Sequence, residues 1–131
     1  VILIDSSVWI DHLRGRDSPE AKRLASALAA DEDLCTCGLI LTEVLQGIQG
    51  DAAHQRVRRL LTALVYLPMP KRVYIRAADV YRTARAAGET VRNAVDCIIA
   101  ACAIEHQVPL LQRDRDFLVL QRVSALKLAR P

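Results

Sequence analysis

The chain opens on Val-Ile-Leu-Ile, an apolar run that ends abruptly in Asp5. A run this short, with no alternation of polar and apolar residues, predicts a strand buried on both faces, as inside a parallel sheet. "VPLLQRD", beginning at Val108, is a second such run, and it leads to Asp114. Parallel strands need long crossovers between them, usually helical. The two runs therefore constrain the whole chain to an α/β architecture.

The segments between them supply the helices. "SVWIDHLRG" predicts a short helix with Ser6 or Ser7 as N-cap and Gly15 as its stop. "SPEAKRLASALAAD" offers Ser18 as a cap and Pro19 at the first helical position. "LCTCG" predicts a short strand, and "LILTEVLQGIQG" a helix ended by Gly50. "AHQRVRRLLTALVYL" places Val57, Leu60, Leu61, Leu64 and Val65 at amphipathic helix spacing. "VYIRAADVYRTARAAG" does the same with Val73, Ala77, Val80, Tyr81 and Ala84. "VRNAVDCIIAACAIEHQ" predicts a nearly all-apolar helix, "RDFLVLQRV" a short one, and "ALKLA" a final edge strand. Strands alternating with helices imply a parallel sheet between helical layers. Ligands bind such sheets at the C-terminal ends of the strands, and Asp5 lies at one.

A chain of 131 residues, 52% hydrophobic and 25% charged, fits one globular domain over residues 1–131 and excludes a disordered tail or linker. No segment approaches the roughly 18 apolar residues of a membrane span. The first residues read as a strand and not as a secretory signal, so the expected compartment is the cytoplasm. Cys35, Cys37, Cys97 and Cys102 lack zinc-site spacing, and His12, His54 and His106 are scattered. Buried thiols, with neither zinc nor disulfide, are the expectation.

Most acids sit in polar stretches or at helix ends, where solvent or capping accounts for them. Asp11 shares a helix face with Arg14, which predicts an exposed pair. Four others are harder to place. Asp5 ends a buried strand. Asp96 is the only polar residue between Ala94 and Ile104, and burying an unpaired carboxylate costs several kcal/mol or shifts its pKa. Glu43 lies on a helical face with Ile40 and Gly47. Asp114 follows the second buried run, with Asp116 two residues on. Taken singly, Asp5 and Asp114 could be plain N-caps and Glu43 a surface residue. For Asp96 the plain reading is the weakest, because its neighbours leave no obvious polar face.

If the four converge, the cluster must share protons or hold a cation. Carboxylates about 4 Å apart repel by roughly 4 kcal/mol at an effective dielectric near 20. Oxygen ligands without His or Cys select a hard ion, Mg²⁺ or Mn²⁺. Such ions most often serve phosphoryl chemistry. Ser7 could orient a carboxylate or cap a helix; the two readings are equal. Without Asp5, Glu43, Asp96 and Asp114 the rest of the chain carries +7 instead of +3, a basic body that suits a nucleic acid. Arg82, Arg85, Arg92, Arg113 and Arg115 are candidate backbone contacts.

"LIDSSVWI", "TEVLQG", "VRNAVDCIIAACA" and "LLQRDRDF" together resemble PIN-domain ribonucleases, most closely the small stand-alone toxins of VapBC toxin–antitoxin pairs. The resemblance spans nearly the whole chain. It implies a three-layer fold with a five-stranded, mostly parallel sheet. Asp5 and Asp96 would be the principal metal ligands, Glu43 and Asp114 would complete the quartet, and Asp116 would assist. The implied reaction is Mg²⁺- or Mn²⁺-dependent hydrolysis of RNA. The implied partners are a VapB-type antitoxin and a second copy of the chain. Gln112 departs from the Ser or Thr that many relatives carry there.

The apolar helices "LILTEVLQGI" and "RVRRLLTALVYL" either pack in the core or leave a groove for an antitoxin helix or a dimer mate. Two rival functions remain open. In a phosphoacceptor domain Asp5 would be phosphorylated, but Lys127 is a poor match for the expected late lysine. A non-catalytic RNA-binding module would need no ion.

Overall fold

The computed structural model describes residues 1–131, ordered as β1 (Ile2–Ile4), α1 (Ser6–Leu13), α2 (Pro19–Ala29), β2 (Leu34–Thr36), α3 (Gly38–Leu45), α4 (Asp51–Thr62), β3 (Val65–Tyr66), α5 (Lys71–Ala86), α6 (Ala94–His106), β4 (Leu110–Leu111) and α7 (Arg115–Val123). Strand order is β3-β2-β1-β4, and every pairing is parallel. Leu3 pairs with Cys35 on one side and with Leu110 on the other, so β1 is internal. Neighbouring strand residues point to opposite faces. Leu3 and Ile4 are nevertheless both fully buried, as are Leu110 and Leu111, which confirms strands covered on both sides.

The chain steps outward from β1 to β2 to β3, then returns past β1 to form β4. Right-handed crossovers place the helices of the outward steps on one face and those of the return on the other. The packing follows this division. α1 lies against α2 and α3, and α3 against α4, while α5, α6 and α7 pack together, with α3 meeting α6 where the two groups join. The direction of winding reverses between β1 and β4. A crevice opens outside the strand ends at such a reversal, and Asp5 and Asp114 follow those two strands.

Local chemistry starts the helices. Ser18 Oγ accepts the Ala21 N–H at 3.0 Å ahead of Pro19, and Asn93 Oδ1 accepts that of Val95 at 3.0 Å. In α6, Cys97, Ile99, Ala100, Ala101, Cys102 and Ala103 are all buried. The small side chains let this helix pack closely on every side. One apolar cluster, which includes Trp9 and Phe117, forms the core. All four cysteines are free thiols within it. No helix is long and apolar enough to cross a membrane.

Several expectations need correction. The cap of α1 is Asp5, not Ser6 or Ser7. α3 stops at Leu45, and Gly50, at φ +86°, precedes α4 instead of ending α3. That left-handed conformation is one glycine adopts without strain. Val65 does not continue the α4 stripe: it pairs with Cys35 in β3 and is half exposed. Sheet hydrogen bonding overrides the helical spacing there. The sheet has four strands and not five, because "ALKLA" contributes a single bridge, Leu128 to Leu110. The Leu110 N–H donates to Lys127 O and the Ala129 N–H to Leu110 O.

Candidate active site

Three helices point their N-termini at the crevice. Asp5 caps α1, Asp96 lies in the first turn of α6, Asp114 caps α7, and Asp116 lies in the first turn of α7. Helix N-termini favour negative charge. For Asp5 and Asp114, capping and membership of an acidic cluster are thus the same fact. Asp5 Oδ2 accepts both the N–H and the hydroxyl of Ser7, at 3.1 and 2.5 Å. Asp114 Oδ1 accepts the Asp116 N–H at 2.9 Å.

Asp96, Asp114 and Asp116 each offer an oxygen, and the three lie within 4.8 Å of one another. Asp5 and Glu43 lie outside that tightest group, but the charges of both act on Asp96. Ser6, beside Asp5, donates its hydroxyl to Glu43 Oε1 at 3.1 Å. Asp5, Asp96 and Asp116 are buried, whereas Glu43 and Asp114 are only partly covered. Asp116 is the most thoroughly held: Oδ2 accepts the backbone N–H groups of Arg92 and Asn93 at 3.0 and 3.2 Å.

The electrostatics report the crowding. Burial, followed by the charges of Asp114, Asp5, Asp116 and Glu43, pushes the Asp96 pKa up to about 8. Burial also raises that of Asp5; the Ser7 hydrogen bonds oppose it and the charge of Glu43 adds to it. Asp5 Oδ1 and Asp96 Oδ2 are buried without any hydrogen-bond partner. Leaving two carboxylate oxygens unpaired out of water is costly. A hard cation would satisfy both and cancel the repulsion, so the donor set fits Mg²⁺ or Mn²⁺.

Of the expected arginines, Arg92 meets the acids of this pit. The Arg92 guanidinium faces Asp116 at 3.5 Å and Asp114 at 3.8 Å while remaining exposed. Arg82, Arg85 and Arg115 are exposed on α5 and α7. Arg113 is placed otherwise: its guanidinium donates to Asp11, which is buried and not in the exposed pair expected with Arg14. Burial opposes the Asp11 charge, but Arg113 and then Arg16 hold its carboxyl below the usual range.

Asp11, and Ser6 as a donor to Glu43, were not singled out from the sequence. The readable signal for Asp11 was its position four residues after Ser7, on the same face of α1. Gln112, which departs from the family pattern, accepts the Asp114 N–H at 2.6 Å through Oε1. Lys127, the lysine weighed for a phosphoacceptor, lies beside Gln107 and Val108 at the entry to β4, whereas Asp5 follows the end of β1.

The family model for the PIN domain matches residues 2–123. VapC ribonuclease Mb1587 of Mycobacterium bovis and Ribonuclease VapC11 of Mycobacterium tuberculosis are each 41% identical to the chain, over 98% of both lengths. Among solved structures, VapBC-1 from nontypeable Haemophilus influenzae superposes with a TM-score of 0.72 at 21% identity, over 98% of this chain and 96% of that one. FitAcB from Neisseria gonorrhoeae gives 0.71 at 18%, over 100% and 98%. These two support the fold. With nearly its whole length matched in sequence, the chain belongs to the PIN-domain family, among the VapC ribonucleases.

Proposed function

We propose that residues 1–131 act as one PIN domain, the endoribonuclease toxin of a toxin–antitoxin pair, with Mg²⁺ or Mn²⁺ as cofactor. The single observation that carries this reading is the pair of buried, unpartnered oxygens, Asp5 Oδ1 and Asp96 Oδ2, in a crevice ringed by further acids. Asp5 and Asp96 are the principal ligands, Glu43 and Asp114 complete the set, and Asp116 assists. When bound, the ion supplies charge stabilisation to a phosphoryl oxygen and lowers the pKa of water. Ser7 orients Asp5 and Ser6 orients Glu43. Arg92, at the rim, holds a substrate phosphate, and Arg82, Arg85 and Arg115 extend the basic surface. The ribonuclease names of the curated relatives favour RNA over other phosphodiesters.

The antitoxin occupies a groove of about 670 Å³ between α1, α3 and α4, lined by Ile10, Leu13, Val44, Ile48, Val57 and Leu60. Arg14 and Arg56 flank it, which suits an amphipathic segment with acidic residues at its edges. Solved structures of this fold include a toxin–antitoxin complex from Klebsiella pneumoniae, and the partner proposed here is a VapB-type protein. The chain acts as a homodimer in the cytoplasm.

The deciding experiment is cleavage of total cellular RNA with mapped cut sites. Cutting that stops in EDTA, returns with Mn²⁺ and is absent from Asp96→Asn supports the proposal. RNA affinity that survives both treatments, without any cutting, leaves a binding module instead.

A further inference from the structure

Arg113 is anchored at both ends by one helix. Its backbone N–H donates to Ser7 Oγ at 3.2 Å, and its guanidinium donates to Asp11 Oδ2. Ser7 and Asp11 stand four residues apart on α1, one turn from each other on the same face. Arg113 therefore runs along that face, and the residue after it is Asp114. The same hydroxyl of Ser7 donates to Asp5. One helix thus ties the loop that follows β1, with Asp5, to the loop that follows β4, with Asp114 and Asp116.

Asp11 is only 4% exposed. Its other contact, Arg16 at 3.4 Å, comes from a side chain that is largely in solvent. Arg113 is thus its main compensating charge. Removing Arg113 would leave the buried Asp11 carboxylate without its main counter-charge. Arg113 is 44% exposed, but its backbone and its guanidinium are both held on α1, and it transmits position through those two anchors.

We propose that Asp11 is a positioning residue for the acidic cluster: through Arg113 it sets the spacing between the Asp5 loop and the Asp114–Asp116 loop. This deepens the metal-dependent reading and rests on it for the identity of the ion. Asp11 touches neither ion nor RNA. Arg113, for its part, serves the site's geometry and not the substrate backbone.

The test uses the full chain with Asp11→Asn, Arg113→Met and the double variant, and Mn²⁺ alone as probe. Each single change is expected to raise the Mn²⁺ dissociation constant about tenfold or more, the usual effect of losing support behind a ligand. kcat for RNA is expected to fall about tenfold with KM within about twofold, and the double variant to be no worse than either single, because the pair acts as a unit. Asp11→Glu should recover most of the loss. Where Asp11→Asn fails to fold, Arg113→Lys takes its place, since a point charge replaces the planar fork while the cation is retained.

A folded variant with Mn²⁺ affinity and kcat within about twofold of the parent overturns the proposal, since such support normally matters more. So does a rise in KM at unchanged kcat, which would put Arg113 on the RNA. If the parent binds Mn²⁺, the variants lose that affinity and none of the proteins cuts RNA, the positioning role stands and the ribonuclease reading falls.

Discussion

Ser7 donates twice to Asp5 Oδ2, from its N–H at 3.1 Å and from its hydroxyl at 2.5 Å. Both bonds favour the charged carboxylate in a place where burial favours the neutral one. They leave Oδ1 as the buried, unpartnered oxygen of the pair. Ser7→Ala should raise the Asp5 pKa further and weaken Mn²⁺ binding about tenfold at neutral pH. Part of that loss should return in more alkaline buffer. Mn²⁺ titration by electron paramagnetic resonance across pH checks this; an unchanged affinity would detach Ser7 from the site.

Asp96 makes the metal-free protein sensitive to pH. Its folded pKa of about 8 lies well above its ordinary value. Between those limits the folded chain holds a proton that the unfolded chain has released. Stability in EDTA should therefore be fully present on the acid side and fall as pH rises toward 8, by at most about 1.4 kcal/mol per unit for one proton. Asp5, shifted in the same direction, adds to the slope. Asp96→Asn should flatten it, raise the thermal midpoint at pH 8 and abolish cleavage. Thermal unfolding in EDTA across pH measures the first two effects.

Arg92 lies against Asp114 and Asp116 but is 61% exposed. Exposed pairs of this kind contribute about 0.2–1 kcal/mol. Arg92→Gln should leave the thermal midpoint nearly unchanged, since the backbone N–H that holds Asp116 remains. RNA binding should weaken, and the dependence of log affinity on log salt should become shallower by about one. A salt series of RNA affinities checks this.

Ala53 lines the groove between α1, α3 and α4 and lies apart from the acids. Ala53→Arg would fill that space with a long charged side chain. RNA cleavage should match that of the parent, while inhibition by the cognate antitoxin should fall at least about tenfold, as expected when an apolar anchor site is lost. Inhibition assays at fixed RNA concentration decide it. An antitoxin that inhibits the variant as well as the parent binds elsewhere.

The apolar runs at Ile2–Ile4 and Leu110–Leu111 were readable as two-sided strands because nothing in them alternates. Asp96 was readable as anomalous because its neighbours in α6 leave no polar face. Val65 was misread as part of the α4 stripe, and Tyr66 with the same segment; only pairing with Cys35 and Thr36 makes the two a strand. Asp11 was misread for a similar reason. Arg14 is its neighbour in sequence, but the cation that meets it is Arg113, 102 residues away.

By itself, then, the sequence determined the two-sided strands at either end of the chain, the helix start at Ser18, and the presence of an acid after each of the two buried runs. These are local properties, set by residue type and by neighbours within a turn or a strand. Tertiary structure alone decided that Asp116 is more enclosed than Asp114, that Asp11 is a buried partner of Arg113, and that the fifth strand shrinks to one bridge at Leu128. Burial and charge compensation depend on what the reversal of winding between β1 and β4 brings together, and no stretch of chain carries that information alone.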